Sequence, residues 1–244
     1  MQNEWFEDWF DSPYYHLLYK NRSEAEASNF VENIVRVFEI KPDETLLDVA
    51  CGKGRHAVAF ARFGLDVTGV DLSAESILCA QRCENEKLHF YVHDMRNVFR
   101  TNYYNYVCNL FTSFGYFKNE HDNMLAARSI FAGLKPKGKF LIDFVNRNHA
   151  IENIEQNKSE TIIKGNIEFI IKRTYTECKF IKDIYIKDGK KEMHFQENVN
   201  SFTLLQMTGL FQSVGLTLKS VFGDYELSIY DELNSPRMIL IFEK

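Results

Sequence analysis

Apolar positions along this chain fall into two alternating patterns. Short unbroken runs, such as Leu46-Leu47-Asp48-Val49-Ala50, read as buried strands, and the stretches between them carry apolar residues every three or four positions, as helices do. Ala27, Phe30, Val31, Ile34, Val35 and Phe38 recur at helical spacing behind a Ser23/Glu26 capping-box signature, and that helix stops before Lys41-Pro42-Asp43. From there Thr45 to Ala50 predicts a strand, Arg55 to Phe63 a helix stopped at Gly64, and Asp66 to Asp71 a second strand. Ser73 caps a helix through Cys83, Leu88 to His93 is a third strand, and Tyr104 to Phe111 a fourth. Asn119 caps a further helix, and the turn Lys135-Pro136-Lys137-Gly138 leads into a fifth strand, Lys139 to Val145. Alternation of this kind builds a parallel sheet.

After Val145 the pattern changes. About 50 residues follow with few helix signals, many β-formers and turn pairs at Gly165-Asn166 and Asp188-Gly189, which predicts antiparallel hairpins. Phe202 to Val214 then reads as helix, Leu216 to Phe222 as a sixth strand and Arg237 to Phe242 as a seventh. The last two are joined too closely for a crossover helix and so pair antiparallel. The expected fold is α/β, a seven-stranded mostly parallel sheet flanked by helices, with an inserted antiparallel β subdomain. Four segments follow: an N-terminal helical lid over 1–40, an α/β core over 41–148, the insert over 149–200, and completion of the core over 201–244. The first segment is crowded with aromatics, Trp5, Phe6, Trp9, Phe10, Tyr14, Tyr15 and Tyr19, with His16 among them. Such spacing suits a helix packed on the body; it equally suits a lid that excludes water and supplies hydroxyls.

Composition narrows the setting. With 244 residues, 45% hydrophobic and 26% charged, the chain can bury a substantial core as one soluble globule. A net charge of -5 offers no footprint for nucleic acid or an anionic membrane. No apolar run approaches the roughly 20 residues that span a bilayer, and the start of the chain lacks the regions of a signal peptide, so a cytoplasmic setting is expected. The five cysteines, Cys51, Cys79, Cys83, Cys108 and Cys178, are scattered without a CxxC pair, which favours reduced thiols and no metal.

The candidate chemistry sits at Cys51-Gly52-Lys53-Gly54-Arg55-His56, where the first strand turns through two glycines into a helix. Glycine lets the backbone turn and lets a nucleotide-like ligand approach closely. A dinucleotide loop attracts a pyrophosphate, which Asp48 at the strand end would repel; a donor carrying an ammonium and a sulfonium, S-adenosylmethionine, suits that carboxylate. The glycine pattern, with Ala57 in its last place, also satisfies nicotinamide-binding domains, so the loop leaves both open. Asp71 closes the second strand about 20 residues on, where a carboxylate receives ribose hydroxyls in either class. Asp94 and Met95 follow the third strand, placed to meet an adenine amino group and its ring.

Together, LLDVACGKGRHA and LDVTGVDLS resemble the class I S-adenosylmethionine-dependent methyltransferases, from about Thr45 to Val145, and Ser235-Pro236-Arg237-Met238-Ile239-Leu240 is similar as well. The resemblance implies a Rossmann-like fold. It sets Asp48 by the methionine amino group, Ala50 (where the family usually has glycine), Gly52 and Gly54 against the cofactor, and Asp71 on the ribose. Leu72 and Met95 would lie on the adenine, Asp94 near its amino group, and Leu110 and Phe111 near the methionine moiety. The insert after the fifth strand and the aromatic N-terminus look like small-molecule N-methyltransferases acting on amino sugars or amino acids. The nucleic-acid branches carry an Asp/Asn-Pro-Pro-Tyr/Phe signature after the fourth strand, where this chain has Asn109-Leu110-Phe111-Thr112, and no Pro-Cys nucleophile is present.

The expected activity is therefore methyl transfer to the N or O atom of a small molecule, with no nucleic-acid or membrane partner and with a homodimer formed through the inserted sheet. Tyr15, His16 and Tyr116 are the leading candidates for positioning the acceptor or taking its proton, with Tyr14, Tyr19, Asp143, Asn146 and Arg147 behind them. Arg22 is a candidate for the methionine carboxylate, and His56 for a cofactor contact. The alternatives are a non-catalytic module, whose pocket Phe111, Phe114 and Phe117 would fill, and a nicotinamide oxidoreductase, which would have to accommodate Asp48.

Overall fold

The computed structural model describes residues 5–20 and 24–244. Two short helices, α1 (Trp5–Phe10) and α2 (Pro13–Leu18), come first. Ser12 caps α2 by accepting the Tyr14 N–H, and Pro13 opens the helix where its missing donor costs nothing. In α3 (Glu24–Phe38) the buried positions are Ala27, Phe30, Val31, Ile34 and Phe38, the stripe its spacing predicts. Ser23, half of the expected capping box, and Arg22 lie outside the described residues.

The alternation then runs β1 (Thr45–Val49), α4 (Arg55–Ala61), β2 (Asp66–Asp71), α5 (Ala74–Ala80), β3 (Leu88–Val92), β4 (Tyr104–Asn109), α6 (Glu120–Gly133) and β5 (Leu134–Val145). Strand β5 begins at Leu134, earlier than expected, because Leu134 pairs with Tyr104 and the register then shifts before Lys139 meets Tyr106. That irregularity accommodates Pro136, which has no N–H to give a regular ladder.

Helix α7 (Arg147–Gln156) follows, where few helix signals had been read. Ile154 is its one buried residue, so the sequence carries almost no apolar stripe; the Asn146 cap, which accepts the Asn148 N–H, was the available signal. The inserted sheet comprises β6 (Ser159–Lys164), β7 (Ile167–Tyr175), β8 (Lys179–Asp188) and β9 (Lys191–Asn200), all antiparallel. Helix α8 (Leu204–Ser213) and strands β10 (Thr217–Phe222) and β11 (Arg237–Glu243) complete the core.

The main sheet has the order β10-β11-β5-β4-β1-β2-β3, with β11 antiparallel to both neighbours. Residues of α3, α4 and α5 cover one face with Phe30, Phe60 and Ile77; α6 and α8 cover the other with Ile130 and Phe211. Chain order reverses between β1 and β4, so the connections leave their carboxyl ends in opposite directions and open a crevice there.

A third apolar cluster joins α1 and α2 to the inserted sheet. Trp9 is fully buried against Phe195, with ring centroids 4.7 Å apart, and its Nε1 donates to Glu197 at 2.8 Å. The Tyr19 hydroxyl donates to the same carboxylate and Tyr14 to Asp188, each at 2.9 Å. Of the first 40 residues, the strap 5–20 rests on this sheet, while α3 is part of the main core.

Candidate active site

A cavity of about 620 Å³ occupies the crevice at the carboxyl ends of β1 and β4. Its floor is the turn after β1. Ala50 adopts φ 58, a left-handed conformation that glycine would take without strain and that alanine holds at a cost of roughly 1–2 kcal/mol. Gly52 has φ 56 with open space where a Cβ would stand, so backbone conformation selects glycine there. Gly54, at φ 81, is set by packing as well: an added Cβ would lie 2.5 Å from the Phe90 ring. Gly54 seats α4 beside β3 and does not line the cavity; Asp48, Ala50, Gly52, Asp71, Leu72, Asp94, Met95, Leu110 and Phe111 all do.

The electrostatics are dominated by two carboxylates. Asp48 is 1% exposed, its Oδ2 has no hydrogen-bond partner among the described residues, and burial together with the charge of Asp71 pushes its carboxyl up to about 7. The Ala57 N–H and Arg55 act in the opposite direction. Asp71 accepts from the Gly52 N–H at 2.7 Å and the Ser73 N–H at 2.9 Å, and burial still raises its pKa. At Asp94, burial acts to raise the pKa, but the hydrogen bonds and charge of Arg96, with Nη2 2.6 Å from Oδ2, outweigh it and hold the carboxyl below its usual range. A buried acceptor without a donor fits a ligand ammonium; a pyrophosphate beside Asp48 and Asp71 would be repelled.

The wall after β4 is held from beneath. Phe111 and Thr112 both adopt left-handed φ, 62 and 58. Asp143, 1% exposed, accepts from the Phe111 N–H at 2.8 Å, from Arg237 Nε at 2.7 Å and from the Tyr225 hydroxyl at 3.2 Å. Arg237 also reaches Thr112 Oγ1 at 2.9 Å, and the Tyr116 hydroxyl donates to the Thr112 carbonyl at 2.9 Å. Phe114 turns fully into the core, while Phe111, Phe117 and Tyr116 stand as walls of an open cavity. That is the opposite of the filled pocket a non-catalytic module would show.

The strap supplies the roof. Phe10, Tyr15, His16 and Tyr19 line the cavity, and the Phe10 ring lies 5.0 Å from Tyr15 and 5.4 Å from Tyr116. Asp11 accepts from the Ser73 hydroxyl and ties the strap to the start of α5. The structure thus brings Tyr15, His16, Tyr19, Tyr116 and His56 into one cavity. Tyr14, Asp143, Asn146 and Arg147 do not line it; Tyr14 is turned to Asp188, and Asp143 is committed to the wall. Sequence reasoning missed Asp11, Lys53 and Thr112. Asp11 meets Ser73 across 62 positions, and no local pattern signals such a pair.

A sheet whose order reverses above a glycine turn, with a buried acid at the end of the first strand whose Oδ2 has no partner among the described residues, offers a crevice suited to a cationic nucleoside ligand rather than to a pyrophosphate. Residues 46–138 match the family profile described as a methyltransferase domain. Bacillus subtilis YqeM, which bears a methyltransferase name, is 34% identical over 103 residues, 40% of this chain and 41% of that protein. A Streptomyces venezuelae N,N-dimethyltransferase, named for dTDP-3-amino-3,4,6-trideoxy-α-D-glucopyranose, is 32% identical over 133 residues, 53% of this chain and 54% of the relative. The aligned stretches thus span about half the length of these curated relatives. Among solved structures, an S-adenosylmethionine-dependent methyltransferase of Clostridium acetobutylicum shares the fold over 94% of this chain and 95% of its own, with TM-score 0.77 and 16% identity.

Proposed function

We propose that the chain transfers a methyl group from S-adenosylmethionine to a nitrogen or oxygen of a small-molecule acceptor. The observation that carries this reading is the buried Asp48 Oδ2, which has no hydrogen-bond partner among the described residues, beneath a cavity roofed by the aromatic strap. Asp48 would hold the cofactor's ammonium, Asp71 the ribose hydroxyls, and Leu72 and Met95 the adenine. When bound, the cofactor supplies an already activated methyl group on a positively charged sulfur.

What remains for the protein is alignment and the exclusion of water. Phe10, Tyr15 and Tyr116 form an aromatic enclosure around the acceptor side, and Asp143 and Arg237 fix the wall that faces it. Tyr15 and Tyr116 orient the acceptor; an amine needs no strong base, because its proton leaves after transfer. The small-molecule reading draws support from the aminosugar named for the Streptomyces venezuelae relative and from the Streptoalloteichus sugar N-methyltransferase KedS8, which shares the fold at TM-score 0.69 and 18% identity. The test is incubation with methyl-labelled S-adenosylmethionine and fractionated metabolite pools. A labelled product below about 1 kDa is expected, and labelling confined to protein or nucleic acid would overturn the acceptor class.

A further inference from the structure

His16 is a candidate whose surroundings join the strap to the rim at Ser73. Its Nε2 is buried without a hydrogen-bond partner among the described residues, and the ring lines the cavity. The charges it feels are those of Lys53 on the glycine turn, Asp11 on the strap and Glu75 at the start of α5. Lys53 and Glu75 flank Asp71, whose two oxygens bond the Gly52 and Ser73 amides. His16, one helical turn beyond the Asp11 that bonds Ser73, thus shares the cavity with Asp71 and Ser73 on the side of that tie, while its neighbour Tyr15, which its ring meets at 5.5 Å, contacts Phe10, which in turn packs on Tyr116.

We propose that His16 is a cofactor contact of the strap, its Nε2 pairing with a ribose hydroxyl that Asp71 holds from the sheet; this rests on the cofactor reading above. That hydroxyl gives its one O–H to Asp71 and so accepts from the imidazole, which fixes the tautomer with the proton on Nε2. Burial and Lys53 favour the neutral ring, against the pull of Asp11 and Glu75. Since the strap's own tie to this rim runs through Asp11 to Ser73, a ligand bonded to His16 adds a second tie and draws the roof down as the cofactor binds.

The test is calorimetric titration of the wild-type chain, His16→Phe and His16→Gln with S-adenosylhomocysteine and with 5′-methylthioadenosine, which keeps the nucleoside and lacks the amino acid. Phenylalanine preserves the ring packing on Tyr15 and removes Nε2; glutamine returns a polar atom. His16→Phe should weaken both ligands roughly five- to tenfold, His16→Gln should recover part of the loss, and the unfolding temperature of the free variants should match the wild type. Equal binding by His16→Phe overturns the contact. A loss seen with S-adenosylhomocysteine and absent with methylthioadenosine overturns the ribose assignment, and a loss that tracks a lowered unfolding temperature shows packing instead. Failure of the wild-type chain to bind either ligand removes the cofactor reading itself.

Discussion

Replacing Asp48 with asparagine should make the free protein more stable and the cofactor complex weaker. Burial and Asp71 lift the Asp48 carboxyl from 3.8 to about 7. A rise of about three units corresponds to a penalty on the order of 4 kcal/mol for keeping the group ionised in the fold. Because the folded value is raised, the folded state keeps a proton that the unfolded chain has released between about pH 4 and pH 7. Stability therefore falls as pH rises through that window and stays at its reduced level above it. Asparagine has nothing to ionise, and the charge-assisted bond from the Ala57 N–H that it forfeits is already contained in that net shift. The gain at pH 8 is on the order of 4 kcal/mol, or about 8–16 °C in unfolding temperature for a chain of this size, and it shrinks towards pH 5. The assay is thermal unfolding of both proteins without ligand at pH 8 and pH 5, with S-adenosylhomocysteine affinity measured alongside. A variant no more stable than wild type at pH 8 would refute the electrostatic argument, and undiminished affinity would refute the ammonium assignment.

Other substitutions follow the same geometry. Asp71→Ala should weaken S-adenosylhomocysteine binding by roughly ten- to hundredfold, since hydrogen bonds to a charged group are lost; unchanged binding in calorimetry takes Asp71 out of the site. Arg237→Met leaves the Asp143 carboxylate buried without its cation and should cost about 3 kcal/mol, a fall of about 6–12 °C in unfolding temperature. The double variant with Asp143→Asn should regain part of that loss in urea unfolding, and strict additivity would show that the pair is uncoupled. Trp9→Ala removes the residue that seats the strap on the inserted sheet, and limited proteolysis should then cut within residues 1–20 far sooner than within the main core. Equal cleavage rates in wild type and variant would mean that Trp9 does not anchor the strap.

The core was legible because each of its strands is both apolar and terminated by chemistry. Asp48 and Asp71 stand at strand ends that periodicity alone locates, and β2 runs over the expected residues, Asp66 to Asp71. Helix α7 was hidden because a helix that buries one residue has no periodic stripe to read. The strap's aromatics announced burial but not their partner: Trp9 meets Glu197 across 188 positions, and local spacing carries no information about such a contact. Asp143 was expected at the site edge and lies under the wall instead, because its partner Arg237 comes from β11, a strand it meets through antiparallel pairing. A strand-end acid reads alike whether it faces ligand or protein.

That distinction bears on how the acceptor is chosen. In the proposed reading the cofactor side is built from turns whose conformations are fixed by the sheet, Ala50 to Gly52 after β1 and Asp71 to Ser73 after β2. In the same reading the acceptor side is built from Phe10, Tyr15 and Tyr19 on a strap fastened to the inserted sheet, and from the Thr112 to Tyr116 segment braced by Asp143 and Arg237. The strap belongs to the packing cluster of Trp9, with Phe10 reaching the main core as well, whereas the Thr112 to Tyr116 segment packs in the same core as Leu72 and Met95. Substitutions at Tyr15, which packs with the Trp9 cluster, should therefore reshape acceptor choice without loosening the cofactor turns. The two sets meet where Asp11 of the strap accepts from Ser73, and His16, on the same strap and lining the same cavity, is where a substitution should alter cofactor affinity first.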